Sequence, residues 1–184
     1  MQLINDVLDL AKVEAGKMEF HPEPIDLKQL VDEVRSILRS VSASKHIHVD
    51  TDLDRRCSDL ELDPAKFKQV LYNYLSNALK FSTDNGQVLI RVRPEGAALF
   101  RIEVTDHGIG IRPEDIPKLF SEFRQLDSSA AKKYPGTGLG LALTRRIVEA
   151  QGGHAGVESV FGQGSTFFAV LPRRPQSSAA VGVA

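Results

Sequence analysis

Apolar residues recur every three or four positions in four stretches of the chain, the spacing that places them on one face of a helix. Asp26 and Asp63 precede two of these stretches as helix N-cap residues, and Gly152 follows the last one as a stop signal. The pattern therefore predicts four helices: Leu3–Ala11 with its end near Gly16, Leu27–Val41, a helix from Pro64 through Lys80, and Leu139–Gln151.

The segments between these helices have the composition and turn signals of β-strands. The predicted strands are Ile47–Leu53, Gln87–Arg93, Leu99–Thr105, His154–Val160 and Thr166–Leu171, with a short strand before Asp63. Phe20–Pro24 is extended and is expected at a sheet edge because its prolines cannot donate to a ladder. This mixture predicts an α/β fold, a two-layer α/β sandwich in which helices cover one face of a mixed sheet.

Composition narrows the class of protein further. The 184 residues are enough for one or two domains, and 42% of them are hydrophobic. The 23 basic and 24 acidic residues nearly balance and form no basic run, so we expect no nucleic-acid partner. Cys57 is a lone cysteine, which excludes an internal disulfide. No apolar stretch or signal peptide indicates membrane contact, so we expect a cytoplasmic protein or the cytoplasmic part of a membrane receptor.

Three polar features carry candidate chemistry, and the first is a stripe on the helix from Pro64. Gln69, Asn73, Asn77 and Lys80 fall on one side of it, opposite an apolar face. A solvated face is the usual meaning of such a stripe, but asparagine is a poor helix former. Its amide oxygen can also complete a Mg²⁺ shell beside phosphate oxygens and waters.

The other two features are glycine-rich turns. Asp106 ends a strand before Gly108 and Gly110, either as an ordinary Asp-x-Gly turn or as a carboxylate that accepts a hydrogen bond from an adenine amino group. The segment Gly136-Thr137-Gly138-Leu139-Gly140 runs into a helix, so its amide groups can converge on a phosphate. Leu141 breaks the Rossmann fingerprint and no Gly-Lys-Ser/Thr occurs, so this is another kind of phosphate loop.

Four segments, taken in order, resemble the N, G1, G2 and G3 boxes of the catalytic, ATP-binding domain of sensor histidine kinases. They are Asn73–Lys80, Asp106–Gly110, Gly136–Leu141 and Gly162–Phe167, and the resemblance extends from about Leu3 to Pro172. It implies a Bergerat-type ATP-binding fold with ATP and Mg²⁺ as cofactors. It also implies that Asn77 binds Mg²⁺ with support from Asn73, that Lys80 reaches the phosphates, and that Phe81 lines the pocket.

The resemblance assigns the remaining boxes as well. Asp106, with Gly108 and Gly110, recognises adenine, the loop Gly136–Gly140 holds the phosphates, and Thr166 is the expected contact in the last box. Phe120 and Phe123, which core packing would also explain, resemble the F box that anchors an ATP lid over Arg124–Pro135, with Lys132 and Lys133 available for phosphates. Either Gln125 or Arg124 stabilises the transferring phosphoryl group.

Asn73 separates kinases from ATPases of the same superfamily, which typically place a glutamate at this position as a base for water. An amide cannot take a proton from water at neutral pH, so this residue favours the histidine kinases. None of the five histidines resembles the family's acceptor motif, so the acceptor histidine is expected outside this chain. The alternatives are a GHKL-type ATPase and a nucleotide-binding pseudokinase.

The predicted organisation has three parts. Residues 1–18 are the end of a truncated dimerisation helix, or else a terminal helix that packs on its own domain. Residues 19–174 are the catalytic ATP-binding domain, and residues 175–184 are a flexible tail or linker. The resemblance implies two further partners: the dimerisation and phosphoacceptor helices of the parent kinase, and the receiver domain of a response regulator.

Overall fold

Five strands form a mixed sheet, and helices pack against one of its faces. The structure, a computed structural model, describes residues 2–121 and 138–174. Its helices are α1 (Gln2–Glu14), α2 (Leu27–Ile37), α3 (Arg39–Ser44), α4 (Pro64–Phe81) and α5 (Gly140–Ala150). Its strands are β1 (Glu23–Pro24), β2 (His48–Leu53), β3 (Glu61–Leu62), β4 (Gln87–Glu95), β5 (Leu99–Asp106), β6 (His154–Val160) and β7 (Gly164–Pro172). The predicted α/β sandwich is confirmed.

The strand order of the large sheet is β2-β4-β5-β7-β6, in which only the β2–β4 pair is parallel. Alternate residues of β5 are buried under the helices, from Phe100 through Ile102 and Val104 to Asp106. The residues between them face the other side of the sheet, where ion pairs cross the strands, such as Arg101 Nη2 to Glu158 Oε1 at 2.9 Å. Helix packing therefore covers the side of the sheet that carries Asp106.

Helix α4 lies at the centre of the helical layer. Its N-terminus is capped by Asp63, whose carboxylate accepts a hydrogen bond from the Lys66 N–H at 3.0 Å, and Pro64 occupies the first turn. Tyr74 is fully buried, and its hydroxyl donates to the carbonyl oxygen of Phe168 in β7 at 2.9 Å. Helix α5 packs beside α4 on the same sheet, and α1 packs against α5. The apolar face of α4 therefore packs on the sheet, and its polar stripe faces α5.

One local prediction differs from the structure. The helix predicted over Leu27–Val41 is two helices, because Leu38 leaves helical geometry at φ −95° and ψ 7° while its side chain stays buried. The position of Pro24 at a sheet edge is confirmed, since it pairs with β3 in a separate two-stranded sheet, where each strand is an edge. Across the described residues, no helix has both the length and the apolar character that a bilayer crossing requires.

Candidate functional site

Asn73 joins α4 to α5. Its Nδ2 donates to the carbonyl oxygen of Gly140 at 3.1 Å and to Thr144 Oγ1 at 3.0 Å. A Cβ at Gly140 would lie 3.4 Å from the Asn73 amide, in van der Waals contact with it, so the start of α5 packs directly against this side chain. Both amide hydrogens are therefore used within the protein, which leaves only Oδ1 of Asn73 for water, a metal ion or a ligand.

Asn77 lies one turn further along α4 and is half-buried. Its side chain makes no hydrogen bond to another residue in the described part of the chain, so its carboxamide oxygen is available as a ligand. The described residues also contain no cluster of three or more His, Cys, Asp or Glu side chains suited to a metal. A metal ion held here would thus take amide oxygens, waters and the oxygens of a bound anion, the donor set that suits Mg²⁺.

Lys80 and Phe81 are the last two residues of α4 and follow Asn77 along the polar stripe. The Lys80 ammonium lies 5.0 Å from the centroid of the Phe81 ring, and partial burial lowers the pKa of Lys80. A group of negative phosphate oxygens brought to this position would favour the charged form again. The pair thus combines a cation with an aromatic surface at the end of the stripe.

Asp106 is the buried carboxylate of the site. It is 4% exposed, and its Oδ1 accepts a hydrogen bond from the Gly108 N–H at 2.8 Å. Burial raises the pKa of Asp106, and hydrogen bonds from the backbone N–H groups of Gly108 and Ser165 oppose that rise. These backbone donors hold the carboxylate in one orientation, which suits it to accept a hydrogen bond from a ligand.

The glycines after Asp106 are packed against other backbone segments. A Cβ at Gly108 would lie 2.2 Å from the carbonyl oxygen of Phe81, and one at Gly110 would lie 2.1 Å from that of Val160. Gly110 also adopts φ +63°, where a side chain is strained. The loop after β5 therefore packs tightly between the end of α4 and the end of β6, a contact that the sequence did not predict.

The start of α5 lies beside the middle of α4. Gly138 adopts φ +71°, Leu139 is fully buried, and Gly140 begins the helix beside Asn73. The other residues predicted for the loop and the lid lie outside the described residues: Gly136, Thr137, Phe123, Arg124, Gln125, Lys132, Lys133 and the rest of Arg124–Pro135. Phe120 is described, and the Arg145 guanidinium of α5 lies 5.7 Å from its ring centroid.

Thr166 does not share a side of the sheet with Asp106. It pairs with Thr105 in the β5–β7 register, and the two hydroxyl oxygens are 3.0 Å apart on the side away from the helices. Ser165 pairs directly with Asp106 and is buried with it. Ser165 thus lies on the helix side with the buried Phe167 because side chains alternate along a strand, and the contact at Thr166 stays a prediction.

Three hydroxyl residues of the site were missed in the sequence. Ser159 Oγ lies 3.0 Å from Ser165 Oγ and accepts a hydrogen bond from the Ile111 N–H at 2.9 Å, so it ties the loop after β5 to β6. Thr144 is fully buried and accepts from Asn73. Alternation from Phe167 could have identified Ser165, whereas Ser159 and Thr144 carry no such signal.

The model of the family described as "Histidine kinase-, DNA gyrase B-, and HSP90-like ATPase" matches residues 62–175. The chain is 42% identical over 177 residues to the circadian input-output histidine kinase CikA of Synechococcus elongatus, covering 95% of this chain and 23% of that protein. It is 35% identical over 173 residues to the signal transduction histidine-protein kinase BarA of Escherichia coli (strain K12), covering 91% of this chain and 19% of that protein. The chain thus spans less than a quarter of either relative.

Solved structures agree with these matches. Full-length ShkA in complex with AMPPNP superimposes with a TM-score of 0.83 at 30% identity, covering 93% of this chain and 35% of that one. The nucleotide-free catalytic domain of the histidine kinase ThkA gives a TM-score of 0.71 at 29% identity, covering 86% of this chain and 98% of that one. The similarity to ThkA therefore extends over nearly all of its catalytic domain.

Proposed function

Because this chain belongs to the family of histidine kinase-, DNA gyrase B- and HSP90-like ATPases, as a histidine kinase ATP-binding catalytic domain, we propose that it transfers the γ-phosphoryl group of ATP to a histidine outside these residues. The observation that carries the proposal is the junction that α4 forms with α5 and with the loop after β5. Asn73, in the middle of α4, bonds to the first residue of α5, and Phe81, at the end of α4, contacts the loop after β5. ATP would bind where these three elements meet.

Each residue of the junction has a role that its environment supports. Asp106, with Ser165 beside it, would accept a hydrogen bond from the adenine amino group. Lys80 would contact the phosphates, Phe81 would line the pocket, and the loop Gly136–Gly140 would hold the phosphates with backbone N–H groups. Asn77, with Oδ1 of Asn73, would hold Mg²⁺, which when bound offsets the negative charge of the phosphates. Arg124 and Gln125 remain predictions for the transfer step.

Asn73 also bears on the choice between kinase and ATPase. Its nitrogen already donates to α5, and its amide oxygen is a poor base, so the chain provides no base at the position where hydrolysing relatives use one. A rate of phosphate release by the chain alone that exceeds the buffer background would favour the ATPase alternative. Binding of ATP without transfer to any acceptor would favour a pseudokinase.

The acceptor is proposed to lie on another segment or another chain. None of the five histidines lies in a helix: His48 and His154 are in strands, and His21, His46 and His107 are in connecting segments. We therefore infer that phosphoacceptor helices of a parent kinase present the imidazole, and that a response regulator receives the phosphoryl group next. ThkA has been solved in complex with the response regulator TrrA, which makes such a partner reasonable. A cytoplasmic location is part of the same proposal.

Helix α1 supports the assignment of residues 1–18 to a dimerisation helix. Leu10 is buried and Asp9 Oδ2 lies 3.2 Å from the Lys66 Nζ, so the end of α1 is anchored to the domain. Ile4 and Leu8 remain 63% and 54% exposed on the helix. A helix with an exposed apolar stripe of this kind needs further packing partners. Residues 19–174 as the catalytic domain and 175–184 as a tail remain proposals.

Calorimetric titration of the chain with ATP, with and without Mg²⁺, tests the binding half of the proposal. One-to-one binding that Mg²⁺ strengthens is expected, and absence of binding would contradict the proposal. The transfer half is tested with radiolabelled ATP and a separately supplied acceptor hairpin, with a hairpin lacking its histidine as the control. Label on the control hairpin would contradict transfer to histidine.

A further inference from the structure

Lys45 closes the carboxyl end of α4, although nothing in its sequence context marks it. Its Nζ donates to the carbonyl oxygens of Leu79 at 2.8 Å, Lys80 at 3.0 Å and Ser82 at 2.7 Å. An ammonium has three hydrogens, which matches the three carbonyl oxygens that it contacts at this helix end. The last carbonyl groups of a helix lack partners within the helix and carry partial negative charge, which a cation at this position offsets.

The carbonyl group at this helix end that Lys45 does not contact is that of Phe81, which contacts the loop after β5 instead. The Phe81 carbonyl oxygen lies 3.4 Å from the Ile109 N–H nitrogen and against Gly108, where a Cβ would approach to 2.2 Å. Of four successive carbonyl groups, three therefore contact the ammonium and one contacts the loop that follows Asp106. The position of Phe81 relative to this loop depends on how the last turn of α4 is held.

Lys45 is itself held in place by backbone contacts. Its carbonyl oxygen accepts a hydrogen bond from the Asn85 N–H at 2.9 Å, which ties it to the turn after α4. The next residues enter β2, where the His48 N–H donates to the Gly86 carbonyl at 3.0 Å. The side chain thus reaches α4 from a fixed point on the backbone, so its contacts with the helix end are directed.

We propose that Lys45 is a positioning residue for nucleotide binding, which acts by fixing Lys80 and Phe81 and, through Phe81, the loop after Asp106. This inference rests on the proposed function. Without the ammonium, three partly buried carbonyl groups lose their donor, and the last turn of α4 loosens. Lys80 and Phe81 then lose their fixed relation to Gly108, although Lys45 itself touches no nucleotide.

The substitution Lys45→Met keeps most of the aliphatic stem and removes the charge and donors. We expect ATP affinity in the presence of Mg²⁺ to fall by about tenfold, and Lys45→Arg to restore most of it because a guanidinium can also donate to several carbonyl oxygens. Lys68→Met is the matched control, since Lys68 lies near the start of α4, away from Lys80 and Phe81, and its Nζ pairs with Glu33 Oε2 at 3.0 Å. It should bind ATP like the wild type.

A double-mutant cycle separates positioning from general destabilisation. If Lys45 acts through Phe81, the double variant Lys45→Met/Phe81→Leu should show a smaller fold-loss of ATP affinity than the product of the two single fold-losses. Thermal unfolding is recorded for each variant. Should Lys45→Met be too unstable to titrate, Lys45→Gln, which keeps two donors without charge, replaces it in the same cycle. Wild-type affinity in Lys45→Met or fully multiplicative effects would overturn the inference. Absence of ATP binding to the wild type would instead overturn the proposed function.

Discussion

Replacing Gly108 by alanine tests whether the end of α4 and the loop after β5 form one unit. A Cβ at this position would lie 2.2 Å from the carbonyl oxygen of Phe81 and 2.7 Å from its carbonyl carbon. Real Cβ atoms essentially never approach within 3.0 Å, and here the neighbour is backbone that cannot rotate away. The loop and the helix end must therefore separate by close to an ångström.

The expected magnitude follows from two effects of this separation. Overpacking of a close contact costs about 1–3 kcal/mol of unfolding free energy. For a chain of this size, each kcal/mol lowers Tm by roughly 2–4 °C. The same movement disturbs the hydrogen bond from the Gly108 N–H to Asp106 Oδ1, and loss of a hydrogen bond to a charged group costs about 1.5–3 kcal/mol. ATP affinity should therefore fall by at least about tenfold.

Calorimetric titration with ATP and thermal unfolding measure the two effects separately. Gly96→Ala is the control, because Gly96 has φ +69° and open space around it in the turn between β4 and β5, at the far end of the strand from Asp106. It should lose about 1–2 kcal/mol of stability through backbone strain and keep its ATP affinity. If Gly108→Ala bound ATP as tightly as Gly96→Ala, the coupling between helix end and loop would be refuted.

Three further substitutions test other parts of the site. Asn77→Ala should abolish the Mg²⁺ dependence of ATP binding, measured calorimetrically, while Tm changes by only a few degrees; a retained Mg²⁺ dependence would remove Asn77 from the metal site. Thr144→Val keeps the buried shape and removes one of the two acceptors for Asn73, so ATP should bind several-fold more weakly, with Thr144→Ser as the variant that restores binding; equal affinities would show that Asn73 needs no support from the Thr144 hydroxyl. Burial raises the pKa of Asp106, so its ionisation opposes folding, with no penalty below the unfolded pKa of about 3.9 and the full penalty above the folded one. Asp106→Asn should therefore gain stability relative to the wild type as pH rises through that window. Urea unfolding measures this, and a free-energy difference between the two proteins that stays constant across the window would contradict it.

The layers of the fold could be predicted because each depends on local periodicity. The helical spacing of the residues that follow Pro64 predicts α4, and Asp63 marks its start in the sequence and in the structure alike. The prediction failed at Leu38, where the apolar pattern continues across a break between two helices. A buried side chain is compatible with both geometries there, so the hydrophobic pattern carries no information about the backbone.

The direction of side chains along a strand also limited the prediction of the site. The motif Gly162–Phe167 drew attention to Thr166, but its neighbour Ser165 lies on the same side of the sheet as Asp106. The alternation rule was sufficient to decide between them, given that Phe167 is apolar and therefore expected in the core. A resemblance locates a segment, whereas the pleat of the strand decides which of its residues can reach a ligand.

The contacts that hold the site together could not be predicted, for a physical reason that Lys45 and Asn73 share. Lys45 binds carbonyl groups 34 to 37 residues away, and Asn73 binds a carbonyl group 67 residues away. Every residue has a backbone carbonyl group, so the side chain of the accepting residue does not indicate that its carbonyl group is a partner of Lys45 or Asn73. Sequence patterns therefore show which residues face a ligand, while the residues that position them become visible only when the chain is folded.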